Sequence, residues 1–331
     1  MPATPHLVIA GGAGSLGLAL AAHLAPRYRI IILSRSPATA IPNAQVLRWD
    51  GRTLGPWTAA LNHAAALINL AGRSVNCRYN AKNKHDILHS RLDSTRILGQ
   101  AVAASPNPPP VWLNASTATI YKHTYDYPHD DLTGEIGPTP EALDAFSLEV
   151  ATAWEETFFD APTPHTRKVA LRAAMVLGHS PNSVLPTLLR LVRLGLGGKA
   201  ADGRQYMSWI HEFDFCRAVE FLLTHDLHGP VNLAAPEPVP NADFMAALRR
   251  AAGIRFGLPA ARWQLKIGTL LLATEAELII KSRRVIPKKL PNAGFTFHFP
   301  TLQSALANLI PAKRTTANPA MSSWRNPTPA P

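Results

Sequence analysis

His6-Leu-Val-Ile-Ala-Gly-Gly-Ala-Gly-Ser-Leu-Gly17, followed by Arg29-Ile-Ile-Ile-Leu-Ser-Arg35, decides the fold through its order of residue types. A short apolar run of strand character leads into glycines at 11, 14 and 17. An alanine-rich helical stretch follows, and then a second apolar run. Strand, glycine turn, helix and strand in this order are the context in which a glycine fingerprint implies a dinucleotide site. Gly11 lets the chain turn tightly off the strand. Gly14 lets the backbone approach a pyrophosphate, and Gly17 lets the helix pack close to the sheet. Ser15 and Leu16 open that helix, whose first amides would face the phosphates. A plain glycine turn is the alternative.

The end of the second strand distinguishes the two nicotinamide dinucleotides. NAD sites place an acid there for the ribose 2′-hydroxyl, whereas NADP sites need positive charge for the 2′-phosphate. The chain reads Leu33-Ser-Arg-Ser36 and has no acid at this point. Arg35 can grip a phosphate in forked geometry, with Ser34 beside it as a donor. NADP(H) is the expected cofactor, a solvated Arg35 the alternative.

Strand-like and helix-like stretches go on alternating, which implies a Rossmann-type, doubly wound parallel α/β sheet. Candidate strands are 7–10, 29–33, 46–49, 66–70, 111–115 and 168–172; candidate helices are 15–25, 53–59, 80–104 and 142–159. Prolines at 106 and 108–110 stop the third of these helices. Residues 1–173 read as the dinucleotide-binding domain, its sheet completed by a later segment near 229–234. Residues 174–311 read as a smaller, mainly helical substrate lobe with helices at 185–194, 213–224 and 242–252. The Pro- and Thr-rich tail, 312–331, is expected to be disordered.

Composition narrows the function classes. The 331 residues carry a formal charge of +11, but the cations are scattered and not interleaved with aromatics, so no nucleic-acid role is expected. The two cysteines, Cys77 and Cys216, suggest neither a disulfide framework nor a metal site. The longest apolar stretch, 267–280, is broken by Glu275 and Glu277, so no membrane span is expected. Without a basic leader ahead of the first strand, a cytoplasmic location is the expectation.

Ile68-Asn-Leu-Ala-Gly72, Ser90-Arg-Leu-Asp-Ser-Thr95, Ala115-Ser-Thr-Ala-Thr-Ile-Tyr121 and Arg172-Ala-Ala-Met-Val-Leu-Gly178 follow the glycine turn. Further on come Gly195-Leu-Gly-Gly198, Ser208-Trp-Ile-His211, Ala234-Ala-Pro-Glu-Pro238 and Ser282-Arg-Arg-Val-Ile-Pro287. The ordered set resembles an atypical extended short-chain dehydrogenase/reductase. More narrowly, it resembles the NAD-dependent epimerase/dehydratase-like family that ends in a small domain of unknown function. The resemblance implies an NADP(H)-binding oxidoreductase or epimerase acting on an unknown small molecule, and a possible homodimer. It implies that Leu70, Ala71 and Gly72 pass under the adenosine ribose and phosphates, with Arg91 also on the cofactor. Asp50 would touch the adenine or cap its loop. Ser116 and Thr117 would hold a substrate oxygen or cap backbone, and His211 is expected to be structural. Arg73 and Arg78 are either anion ligands or surface charges.

One departure bears on the chemistry. Hydride-transferring members of the superfamily carry a Tyr and, four residues on, a Lys whose ammonium lowers the phenol's pKa. Here the helix offers Phe146 and Val150, or in the adjacent register Ser147 and Ala151. Tyr121 is the expected substitute, in a loop facing the nicotinamide, with Lys122 and His123 next to it in sequence. The competing reading is a cofactor-binding regulatory or scaffold protein that does not turn over.

Overall fold

The structure, a computed structural model, describes residues 4–36, 41–139, 144–180, 183–261 and 281–311. Among them is a seven-stranded, wholly parallel sheet built from β1 (His6–Ala10), β2 (Arg29–Ser34), β3 (Ala44–Arg48), β4 (Ala66–Asn69), β5 (Val111–Thr117), β6 (Arg167–Ala173) and β10 (Gly229–Leu233). The strand order is β10-β6-β5-β4-β1-β2-β3, so the direction of winding reverses between β1 and β4. Such a reversal opens a crevice at the carboxyl ends of the strands, where doubly wound folds bind ligands.

Helices cover both faces, and the strands alternate accordingly. Leu7, Ile9, Ile30, Ile32, Leu113 and Leu171 pack against α1 (Ser15–Leu24) and α5 (Glu212–Thr224), through Leu20, Leu24, Phe215 and Leu222. Val8, Ala10, Ile31, Leu33 and Trp112 face the other way. They meet α2 (Ala81–Ala104) through Ile97, Leu98 and Val102, and α3 (Ala145–Phe159) through Phe158. With both faces buried, β1, β2 and β4 read as nearly unbroken apolar runs, whereas the edge strand β3, Ala-Gln-Val-Leu-Arg, is only half-buried.

A second cluster joins α4 (Val184–Arg193), α6 (Asn241–Ala251) and α8 (Leu302–Leu309) around Trp209, Phe244 and Leu306. Two small sheets support this lobe: β7 (Met175–Leu177) with β9 (Trp209–His211), and β8 (Tyr206–Met207) with β11 (Val239–Pro240). A short helix, α7 (Lys289–Asn292), packs on β10.

Three details differ from the sequence reading. The helix expected at 53–59 is a 3-10 helix at Pro56–Leu61, started late because the Asp50 carboxylate first holds a turn through the Arg52 and Thr53 amides. The third strand begins earlier than expected, and Trp49 leaves it to pack edge-on against Trp57. The fourth helix, expected from 142, starts at Ala145 after its N-cap Asp144; residues 142–143, the tail 312–331 and the stretch 267–280 lie outside the described residues.

Candidate functional site

Gly11 sits at φ +73° with its backbone against the loop after β4: an added Cβ would fall 2.7 Å from the Cα and N of Ala71. At Gly17, a Cβ would fall 2.4 Å from Gly12 Cα, so α1 seats directly on the turn. Gly14 is the N-cap of α1; no side chain caps the helix and its first turn holds no acid. The first-turn amides at Ser15 and Leu16 are therefore left uncapped, an electropositive helix end of the kind that binds phosphate. The loop Leu70–Gly72 is pinned from below by Asn69. That buried side chain accepts from the Ala71 amide (3.0 Å) and donates to Asn114 (2.7 Å).

Arg35 is exposed at the end of β2, directly after the buried Ser34. Arg91 lies beneath Gly72, where an added Cβ would be 3.3 Å from the guanidinium carbon. It donates to the Arg73 carbonyl and stacks 5.0 Å from the Trp154 ring. Burial lowers its pKa to about 10, partly offset by Tyr79. Asp50 spends both carboxylate oxygens on Arg52 and Thr53, and the Thr53 hydroxyl and these amides hold it down at about 2. Its side chain is a loop cap.

At the carboxyl end of β5 the three expected hydroxyls are in different situations. Ser116 is buried and donates to Glu155 Oε1 at 2.5 Å. Glu155 is in turn gripped in a fork by Arg172, at 2.8 and 2.7 Å. Arg172 also donates to the Tyr121 hydroxyl (2.9 Å), which donates to Asn232 (2.9 Å). Burial raises the Tyr121 phenol above its ordinary value despite Arg172 and Asn232. At 1% exposure, Tyr121 is therefore an interior member of this network and not a phenol open to a cleft. Its ring is sandwiched in the core, parallel to His129 at 5.4 Å. Neither neighbour in sequence assists it: Lys122 pairs with Glu135, and His123 accepts from the Ser282 amide. Thr117 alone is only half-buried. It accepts from the Thr119 amide at 3.1 Å and shares a 3.0 Å contact with the Thr119 hydroxyl.

Packing resolves the register of α3. Ala151 is fully buried against Ala118, Ile120 and Tyr121, and Glu155, one turn on, reaches Ser116. The face directed at the end of β5 therefore runs through Ser147, Ala151 and Glu155 by helical spacing. The other face carries Trp154, which donates to Thr95 of α2, and Phe146, which meets Tyr79 edge-on with centroids 5.0 Å apart.

The remaining candidates lie elsewhere. Arg73 is engaged by Asp86 and by Asn83 (2.7 Å), which holds the β4–α2 loop on α2, and Arg78 is exposed. His211 caps α5 by accepting from the Phe213 amide (3.0 Å), and its ring stacks on Phe299 at 3.9 Å. Burial lowers it to about 4, against the opposing effect of Asn308. Glu155, Asn232 and the role of Arg172 were missed in the sequence. The available signal was Arg172 standing alone between Val169 and Leu177 in an otherwise apolar stretch, since a buried charge needs a partner; Glu155, next to Glu156, gave no such signal.

The NAD dependent epimerase/dehydratase family matches residues 7–234, and a domain of unknown function, DUF1731, matches 262–309. Epimerase family protein ML0860 of Mycobacterium leprae is 33% identical over 305 residues, covering 91% of this chain and 94% of its own. Epimerase family protein SDR39U1 of Bos taurus is 32% identical over 315 residues, covering 92% and 99%. The crystal structure of human epimerase family protein SDR39U1, solved with NADPH, superposes with a TM-score of 0.80 at 27% identity, covering 92% of this chain and 99% of that one. With a family model matching residues 7–234 and relatives 32–33% identical over more than nine-tenths of its length, the chain belongs to the NAD-dependent epimerase/dehydratase family and carries the DUF1731 domain toward its C-terminal end.

Proposed function

We propose that this protein binds NADP(H) in the crevice above β1, β2 and β4 and works on a small molecule as an oxidoreductase or epimerase. The observation that carries the reading is the uncapped, acid-free start of α1, seated on Gly11 and flanked by Arg35 where an NAD site would have a carboxylate. The NADPH in the human relative supports it. The first-turn amides of α1 hold the pyrophosphate. Leu70, Ala71 and Gly72 form the floor under the ribose, with Arg91 below. Arg35 and Ser34 take the 2′-phosphate. When bound, the cofactor supplies hydride transfer.

Thr117 is the hydroxyl that meets a substrate oxygen, since Ser116 gives its proton to Glu155 and Tyr121 is closed inside the network. Ser116, Glu155 and Tyr121 thus set the position of the strand end that carries Thr117. The second reading, a cofactor-binding protein without turnover, is favoured by one observation: the helix face toward β5 carries Ser147, Ala151 and Glu155 and neither a phenol nor an ammonium.

Fluorescence titration with NADPH and NADH tests the common premise. Arg35→Asp is expected to weaken NADPH about tenfold or more, the loss of one forked charge-assisted contact, and to leave NADH unchanged. Absence of saturable NADPH binding to the wild-type protein overturns both readings. Equal weakening of the two cofactors overturns the role of Arg35.

A further inference from the structure

Two helices of the C-terminal lobe end in the same way. α4 closes at Gly195 (φ +77°), with the Leu196 amide donating back to the Leu191 carbonyl (2.9 Å). α6 closes at Gly253 (φ +71°), with the Ile254 amide donating to the Arg249 carbonyl (2.9 Å). Such left-handed glycine caps turn the chain sharply out of its helix. The two exits are then laced together: the Leu258 amide donates to the Gly195 carbonyl (2.7 Å), Gly198 to Leu258 (3.1 Å) and Ala260 to Lys199 (3.0 Å). Gly257 lies so close to Gly197 that an added Cβ would fall 2.7 Å from its carbonyl carbon, and the Arg249 guanidinium donates to the Gly197 carbonyl (2.6 Å). The product is a rigid knuckle.

Its surface combines exposed apolar side chains with unpaired positive charge. Leu194, Leu196, Phe256 and Leu258 are 64%, 50%, 66% and 51% exposed. Residues 184–201 and 244–261 contain Arg190, Arg193, Lys199, Arg249, Arg250 and Arg255 and no acid; Asp202 and Asp243 stand just outside them. Among the described residues none of these six cations pairs with a carboxylate, whereas Arg27, Arg73, Lys122 and Arg217 do. Arg249, Arg250 and Arg255 line one open depression of about 360 Å³ with Gly253 and Ile254. Arginines in the last turns of α4 and α6 suit the helix dipoles. That accounts for neither Lys199 and Arg255 nor the projecting leucines and phenylalanine.

We propose that this knuckle seats the protein on an anionic phospholipid surface, with Leu194, Leu196, Phe256 and Leu258 entering the boundary between headgroups and acyl chains and the six cations at the phosphates. The contact is peripheral, since no described helix is long and apolar enough to cross a membrane. Charge argues against a second copy as the occupant: a two-fold pairing through this face would set six unpaired cations against six. Shape argues against a folded acidic protein. The apolar side chains project from a turn rather than line a groove, and a fluid interface takes a projecting tip without a matching pocket. The proposal is independent of the NADP(H) reading.

Co-sedimentation of the full chain with vesicles of equimolar phosphatidylserine and phosphatidylcholine, compared with pure phosphatidylcholine, is the test. Binding is expected to the first alone and to weaken as salt is raised. Arg250→Glu with Arg255→Glu should weaken it about tenfold or more, and so should Phe256→Ser with Leu258→Ser. All four side chains are exposed, so both variants keep the fold. No vesicle binding by the wild-type protein, or equal binding to both compositions, overturns the proposal. So does a loss confined to the charge variant, which would mean that no apolar tip enters the bilayer. Without vesicle binding, a dimer abolished by the Phe256 and Leu258 changes would give the face to a second copy, and retention on poly-glutamate would give it to an acidic protein; either result overturns the lipid assignment.

Discussion

Glu155 and Arg172 show how one buried pair governs the candidate site. Burial alone would lower the Arg172 guanidinium, yet the forked contact with Glu155 and the Tyr121 hydroxyl hold it above its ordinary value. Replacing Glu155 by Ala leaves a buried cation without a counter-charge and Ser116 without an acceptor. The expected cost is about 3–5 kcal/mol, read from urea unfolding. Glu155→Leu with Arg172→Met should recover much of that loss, because removing both charges leaves none stranded. A single-variant loss below about 1 kcal/mol would mean that the pair is solvated and does not position the end of β5. At this scale the sequence was least readable. Tyr121 looked available because it lies five residues past Ser116, but its state is set by Arg172 and Asn232, 51 and 111 residues away. Gly11, Gly14 and Gly17 were readable because their constraint is local backbone geometry.

At the scale of elements, apolar period and turn chemistry place all seven parallel strands, the last as the segment near 229–234, and the two helices that follow the glycine turn and β4. A parallel strand buried on both faces leaves an unambiguous run. The stretch 53–59 was misread because its helix-compatible composition carried no sign that Asp50 would hold the preceding turn. His211 gives the element scale its own prediction. It caps α5 in the neutral form and is held at about 4, whereas in the unfolded chain it titrates near 6.5. Between those values the unfolded state binds more protons, so stability is full above about pH 6.5 and falls as pH drops toward about 4. The loss is on the order of 3 kcal/mol. His23 and His129, also lowered mainly by burial, act in the same direction. Asp50, held at about 2, contributes only at more acidic pH. Urea midpoints measured from pH 7.5 to 4.5 should decline for the wild-type protein. They should decline less for His211→Asn, which keeps a side-chain acceptor at the cap without the titration. Identical slopes would show that His211 does not carry the effect.

On the scale of the whole molecule, the C-terminal segment is part of the folded core. Its 281–289 stretch crosses the site loop: Ile286 donates to the His129 carbonyl (2.9 Å), Lys281 pairs with Asp144 at the start of α3, and Val285 is buried beside Tyr121 and Ala151. Asp214, fully buried in α5, accepts from the His298 and Phe299 amides at 2.8 and 2.7 Å. Asp131 is the clearest joint. One oxygen accepts from the amides of Lys288 and Lys289 (3.0 and 3.1 Å), the other from the amide of Asn232 in β10 (2.9 Å). Asn232 carries the Tyr121 hydroxyl, so a single carboxylate connects the C-terminal segment, the edge of the sheet and the network that ends at Ser116. Asp131→Ala strips three amides of a charged acceptor and should cost about 3–5 kcal/mol. If the two parts fold as one unit, tryptophan fluorescence and far-UV circular dichroism will trace a single coincident transition in both proteins, shifted to lower urea in the variant. Separation of the two curves in the wild-type protein would instead mean that the C-terminal lobe unfolds on its own and that Asp131 only docks it. The same titration run with NADPH should move the wild-type midpoint upward by mass action. An Asp131→Ala protein that still binds NADPH but no longer holds its C-terminal segment would show that the cofactor site does not depend on that segment.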